Sequence, residues 1–110
     1  MFKRMNINEL YPRWLVAREK DEAITLIDVR TPEEYQAGHV PGAKLIALNT
    51  LPAQLDAFPK QGDVFLICRS GMRSAQAADY LDRQCGHTNL INIEGGTMAW
   101  IKAGYPVEKA

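Results

Sequence analysis

An apolar run that ends in a cysteine, and is followed at once by arginine, serine and glycine, carries the chemistry of this chain. Residues Val64 to Ser74 read VFLICRSGMRS. If the backbone after Cys68 curls around the sulfur, the amides from Arg69 to Arg73 form an anion-binding nest. The positive end of the helix that follows would add to it. Such a setting, with Arg69 and Arg73 as cationic neighbours, lowers a cysteine pKa from about 8.5 to roughly 3.5 to 7.5 and makes the thiolate available at neutral pH. Gly71 permits a positive φ in the turn. Ser70 and Ser74 can donate hydrogen bonds to the sulfur or to a bound anion. Met72 is expected at the pocket mouth. Arg73 would be unfavourable at a helix start without a nearby anion, which makes a substrate or the thiolate its expected partner. Arg69 has two open readings: contact with the anion, or a side chain in solvent with only its amide serving the loop.

Other polar residues read more quietly. Asp28 and Arg30 close an apolar run and suit a buried ion pair that braces loops, with reach to the site as the lesser role. His39 lies in the turn GHVPGA and reads as a loop hydrogen-bonder. Cys85 shares a helical face with Ala78 and Leu81 and reads as packing, with a resolving thiol as the lesser reading. Gly95 and Gly96 do not make a nucleotide-binding fingerprint, and Trp100 reads as core.

The elements that must position these residues alternate. A first amphipathic helix carries Tyr11, Trp14, Leu15 and Arg18 on one face and ends near Lys20. Its start is open between Asn8 as cap and Pro12. A strand is expected over Ala23 to Asp28. A short helix follows from the Thr31-Pro32-Glu33-Glu34 capping box, stopped by Gly38. Then come a brief strand over Lys44 to Leu48, a small helix over Leu51 to Phe58, and a strand over Asp63 to Ile67. A helix from about Ser74 to Gln84, a strand over Leu90 to Ile93 and a last helix through Trp100 and Ile101 complete the pattern. Strands alternating with helices over short connections predict an α/β fold, a parallel sheet with helices on both faces, and ligands beyond the carboxyl ends of the strands.

The 110 residues, 46% hydrophobic and 24% charged, have ordinary globular usage and predict one domain over 1-110, with its core about 10-106. Thirteen basic residues balance thirteen acidic ones, so no global field draws the chain to nucleic acid or membrane. Lys3 and Arg4 precede no apolar run of signal-peptide length, so the expectation is a cytoplasmic protein. Two cysteines without clustered histidines make neither a disulfide scaffold nor a zinc site, so no metal and no cofactor are expected.

Four motifs together resemble the rhodanese homology family, from about Leu10 to Pro106. Asp28-Val29-Arg30 with Thr31-Pro32-Glu33-Glu34-Tyr35 resembles the first signature, and Gly38-His39-Val40-Pro41-Gly42-Ala43 the second. Cys68-Arg69-Ser70-Gly71-Met72-Arg73-Ser74 resembles the active-site loop, and Glu94-Gly95-Gly96 with Trp100 the closing motif. The resemblance implies a five-stranded parallel sheet and a catalytic Cys68 that becomes a persulfide. It implies a thiosulfate sulfurtransferase that takes sulfur from thiosulfate or a related donor and passes it to cyanide, a thiol or a protein cysteine. A sulfur-carrier module acting only with a protein partner is the alternative, and a monomer is the expectation. Phosphatases that share this fold have one more residue in the loop. The six-residue ring from Cys68 to Arg73 is expected to be too tight for a phosphoryl group.

Overall fold

The computed structural model describes residues 2–110; residue 1 of the expected 1-110 domain lies outside them. Its centre is a five-stranded sheet, every pairing parallel, in the order β1-β5-β4-β2-β3. The strands are β1 (Lys3–Asn6), β2 (Thr25–Asp28), β3 (Lys44–Leu45), β4 (Val64–Ile67) and β5 (Leu90–Glu94). The helices are α1 (Ile7–Glu19), α2 (Pro32–Ala37), α3 (Met72–Cys85) and α4 (Gly96–Lys102).

The central strands are apolar throughout because both faces are covered. Ile27, Val64, Leu66 and Leu90 point to one face and pack with Ala77, Ala78 and Leu81 of α3 and with Leu51 and Phe58. The alternate residues Leu26, Phe65, Ile67, Ile91 and Ile93 point to the other and pack with Leu10 and Trp14 of α1 and Trp100 of α4. Trp100 is fully buried, its indole N–H donating to the Pro106 carbonyl at 2.6 Å. That contact ties the end of the chain to the core.

Several boundaries differ from the sequence reading for identifiable reasons. β1 was not read as a strand: KRMN has no apolar run, and its backbone is held by pairing with Lys3 opposite Ile91 through Asn6 opposite Glu94. α1 starts at Ile7, capped by Asn6 rather than Asn8 or Pro12. The Asn6 side chain accepts from the Glu9 amide at 2.9 Å while Glu9 accepts from the Asn6 amide at 3.2 Å. This box and the burial of Ile7, Leu10 and Trp14 carry the helix past Pro12, which sits inside it. Leu15 and Arg18, expected on the packed face, are exposed. β3 is shorter than expected, although the amides of Ile46 and Leu48 still bond to the Asp28 and Val29 carbonyls. The expected small helix is two 3-10 turns, Leu48–Ala53 and Leu55–Ala57, with Pro52 inside the first.

Candidate active site around Cys68

β4 is the middle strand, and Cys68 follows its last residue, at the carboxyl edge of the sheet. The loop then turns at Gly71, whose φ of +105° lies in the left-handed region, and enters α3 at Met72. The helix thus begins two residues before the expected Ser74, bringing its first turn over the sulfur. The Gly71 amide donates to Cys68 Sγ at 3.1 Å and the Ser74 hydroxyl donates at 3.3 Å. Burial pushes the Cys68 thiol pKa up. The Ser74 hydroxyl and the amides of Ser74, Gly71 and Ser70, all bonded to the sulfur, together pull harder, and the group ends below its ordinary value. Of the amides from Arg69 to Arg73, those of Ser70 and Gly71 turn to the sulfur, and hydrogen bonds outrank arginine charge among the causes of the lowering. Cys68 is 1% exposed, so its sulfur lies at the bottom of the loop.

The loop is held from behind by groups the sequence reading did not assign. The first turn of α4 donates to it: Thr97 N–H to the Cys68 carbonyl at 2.8 Å and Met98 N–H to the Arg69 carbonyl at 3.0 Å. Each peptide is planar and trans, so fixing these carbonyls fixes the orientation of the amides that follow. The approach is close enough to require glycine. A Cβ on Gly96, φ +59°, would stand 2.4 Å from the Cys68 carbonyl oxygen and 2.6 Å from that of Arg69. On the α3 side of the sheet, buried Asn92 donates its side-chain amide to the Gly71 carbonyl at 3.2 Å and to Glu94 at 2.8 Å. The Gly-Gly pair and an asparagine inside an apolar strand were the signals available for these roles.

Three expectations for the loop need correction. Arg73 does not turn to the sulfur or leave its charge for a substrate. Its anion is Glu34, gripped through two bonds of 2.7 and 2.8 Å. The Arg73 guanidinium holds the Glu34 carboxyl at about 2, against an ordinary 4.5, with partial burial opposing and Thr31 assisting. Met72 does not wall a pocket: it is 79% exposed and stands in solvent. Ser70 is exposed as well and reaches the sulfur through its amide. Arg69 has its side chain exposed, while its carbonyl, with that of Cys68, anchors the loop to α4.

Asp28 and Arg30 form a buried pair, with Arg30 Nε to Oδ1 at 2.9 Å and Nη2 to Oδ2 at 2.7 Å. Arg30 also donates to the Gly38 carbonyl at 2.8 Å, tying β2 to the end of α2. His39 is buried, stacked on Tyr35 at 3.7 Å, with Nδ1 2.8 Å from the Tyr35 carbonyl oxygen. Its backbone pairs with that of Glu108. It is a brace for α2 and the chain end, and no contact joins it to the sulfur. Cys85 packs partly buried at the end of α3.

Two small hollows flank the loop. One, of about 310 Å³, is lined by Arg30, Glu34, Ala37, Gly38, Arg69, Thr97, Met98 and Ile101. The other, of about 280 Å³, lies by Val29, Thr31, Leu48 and Arg73. A larger groove of about 650 Å³ along Pro12, Val16, Thr25 and Phe65 opens at the amino ends of the strands, away from the cysteine. Among the described residues no group of histidine, cysteine and carboxylate side chains is placed to hold a metal ion, and no helix is long and apolar enough to cross a membrane.

The chain is similar to known proteins in sequence and in fold. The chain is 38% identical over 102 residues to a protein of Allochromatium vinosum named a sulfurtransferase, covering 92% of this chain and 94% of that one. It is 33% identical over 82 residues to YrkF of Bacillus subtilis, provisionally named a sulfur carrier protein; the match covers 74% of this chain and 44% of YrkF. The solved structure of a rhodanese-related protein from Thermoplasma volcanium superposes with a TM-score of 0.84 at 28% identity, covering 99% of this chain and all of that one. The family described as the rhodanese-like domain matches residues 11–103, and with the Allochromatium relative alike over nearly its whole length, the chain belongs to that family.

Proposed function

We propose that the protein moves a sulfane sulfur by double displacement through Cys68. The Cys68 thiolate attacks the outer sulfur of thiosulfate or a related donor. The donor's S–S bond breaks, sulfite leaves with the electron pair, and a Cys68 persulfide remains. Cyanide, a small thiol or a protein cysteine then takes the outer sulfur and restores the thiolate. The observation that carries this reading is the ring of donors on one sulfur: Gly71 N–H at 3.1 Å, the Ser74 hydroxyl at 3.3 Å and the amides of Ser70 and Ser74. Such a ring stabilises a sulfur anion before and after loading without any metal. Depth favours the same chemistry, because a terminal sulfur is slim enough to reach a nucleophile at the loop floor. The sulfurtransferase name of the Allochromatium relative supports the reaction class. Cys68 and Cys85 are both free thiols, which suits a reducing compartment such as the cytoplasm.

Steady-state thiocyanate formation, with thiosulfate and cyanide varied together, tests the reading. Parallel double-reciprocal lines are expected, and intersecting lines would exclude a free persulfide enzyme. The provisional sulfur-carrier name of YrkF favours a second reading, in which Cys68 holds sulfur for one protein partner. That reading requires turnover to stay negligible with small donors and acceptors and to appear when a partner protein is added.

A further inference from the structure

The hollow of about 310 Å³ beside the loop has walls whose charges are unequal in availability. Arg30 is committed to Asp28 and the Gly38 carbonyl, and Glu34 is committed to Arg73. The guanidinium of Arg69 has no ion-pair partner among the described residues. It is the chain neighbour of Cys68. Thr97, 2% exposed, lines the same hollow, and its hydroxyl finds no hydrogen-bond partner. Ala37 and the half-exposed side chains of Met98 and Ile101 make the remaining wall apolar. One unpaired cation, one unused hydroxyl and an apolar wall suit an amphiphilic anion, and the volume is at the small-ligand end of binding sites.

We infer that this hollow is the acceptor subsite and selects small thiols that carry a carboxylate, with Arg69 as the specificity-determining cation. The inference rests on the persulfide reading above for its chemistry. The acceptor thiol gives its proton to the outer sulfur of the persulfide anion, and the resulting thiolate attacks that sulfur in Cys68–Sγ–S–H. The Sγ–S bond breaks, its electron pair returns to Sγ as the Cys68 thiolate, and the transferred sulfur leaves with its proton as R–S–SH. The carboxylate meanwhile rests on Arg69, with the carbon skeleton against Met98 and Ile101.

Two measurements test it. In the first, 3-(methylthio)propionate, which cannot accept sulfur, is titrated into the isotope-labelled protein at millimolar concentration. The amide resonances of Arg69, Thr97 and Met98 should shift in wild type, and the shifts should weaken in Arg69→Gln. Absence of these shifts in wild type overturns the subsite even if sulfur transfer is observed. Their presence in a protein that forms no persulfide leaves the subsite standing and removes the catalytic reading. In the second, persulfide protein is unloaded with 3-mercaptopropionate or with 2-mercaptoethanol. The ratio of the two rate constants, each referred to thiolate concentration, should fall about fivefold in Arg69→Gln, as expected for loss of a partly solvated charge contact. It should rise in Ile101→Lys, where a second cation joins the exposed wall. An unchanged ratio in both variants overturns the assignment of Arg69.

Discussion

Ser74 isolates what activates Cys68. Its hydroxyl lies 3.3 Å from Sγ, and with its own amide it contributes two of the contacts that draw the thiol toward the thiolate. Ser74→Ala removes the hydroxyl contact and leaves the amide. A hydrogen bond to a charged group contributes about 1.5 kcal/mol at the lower end of its range, suitable for a contact of this length. That corresponds to roughly tenfold in the thiolate population at a pH below the thiol's midpoint. The assay is the pH dependence of Cys68 alkylation by iodoacetamide, with Cys85→Ser as background in every sample. The sign follows from the geometry: donors to the sulfur favour its anion, so their removal moves the reactivity profile to higher pH. Arg69→Gln should move it less, because hydrogen bonds outrank the arginines as the cause. A Ser74→Ala profile identical to that of the parent, or a larger displacement in Arg69→Gln, would refute the reasoning.

Three further outcomes follow from the supports of the loop. Gly96→Ala places a Cβ 2.4 Å from the Cys68 carbonyl oxygen at a φ of +59°, and should cost about 3 kcal/mol or more in urea unfolding together with most persulfide formation. Arg30→Ala leaves the Asp28 carboxylate buried without its partner, and should destabilise by about 3 to 5 kcal/mol in the same assay, whereas Asp28→Asn/Arg30→Gln together should cost less. Glu34 is held at about 2, below its ordinary 4.5, so its pair with Arg73 contributes stability that is full above the unfolded value and is lost as pH falls through about 2. Both side chains are about one-third exposed, so solvent screening leaves roughly 1 kcal/mol at neutral pH. The difference between wild type and Glu34→Gln in urea midpoint should shrink on acidification from about pH 5 toward pH 2, and a pH-independent difference would contradict the assignment.

What could be read in the sequence follows from where each interaction is encoded. β2, β4 and β5 are buried on both faces, so their apolar runs announce them. β1 is an edge strand of mostly exposed residues whose reason to be extended lies in β5, where each paired residue is 88 positions away, and no local pattern could reveal it. The α1 cap is legible as Asn6-x-x-Glu9, but Pro12, which lacks an amide, locally favours a later helix start. Cys68, Gly71 and Ser74 declared themselves because a strand end, a turn and a helix start are all local signals. The partner of Arg73 did not, since Glu34 is 39 residues away and reaches it only through the fold. The same holds for Gly96 and Asn92. Their types were visible, yet their purpose, to steady the back of the loop, appears only when α4 and β5 are brought beside it.

The central claim is a sulfur held covalently on Cys68, and intact mass tests it most directly. Reduced protein and Cys68→Ser are incubated with thiosulfate, freed of small molecules and weighed. The account predicts a gain of one sulfur, about 32 Da, in wild type that is absent in Cys68→Ser and is lost again on addition of cyanide. A gain that persists in Cys68→Ser, or a wild-type mass that no sulfane donor changes, would contradict it.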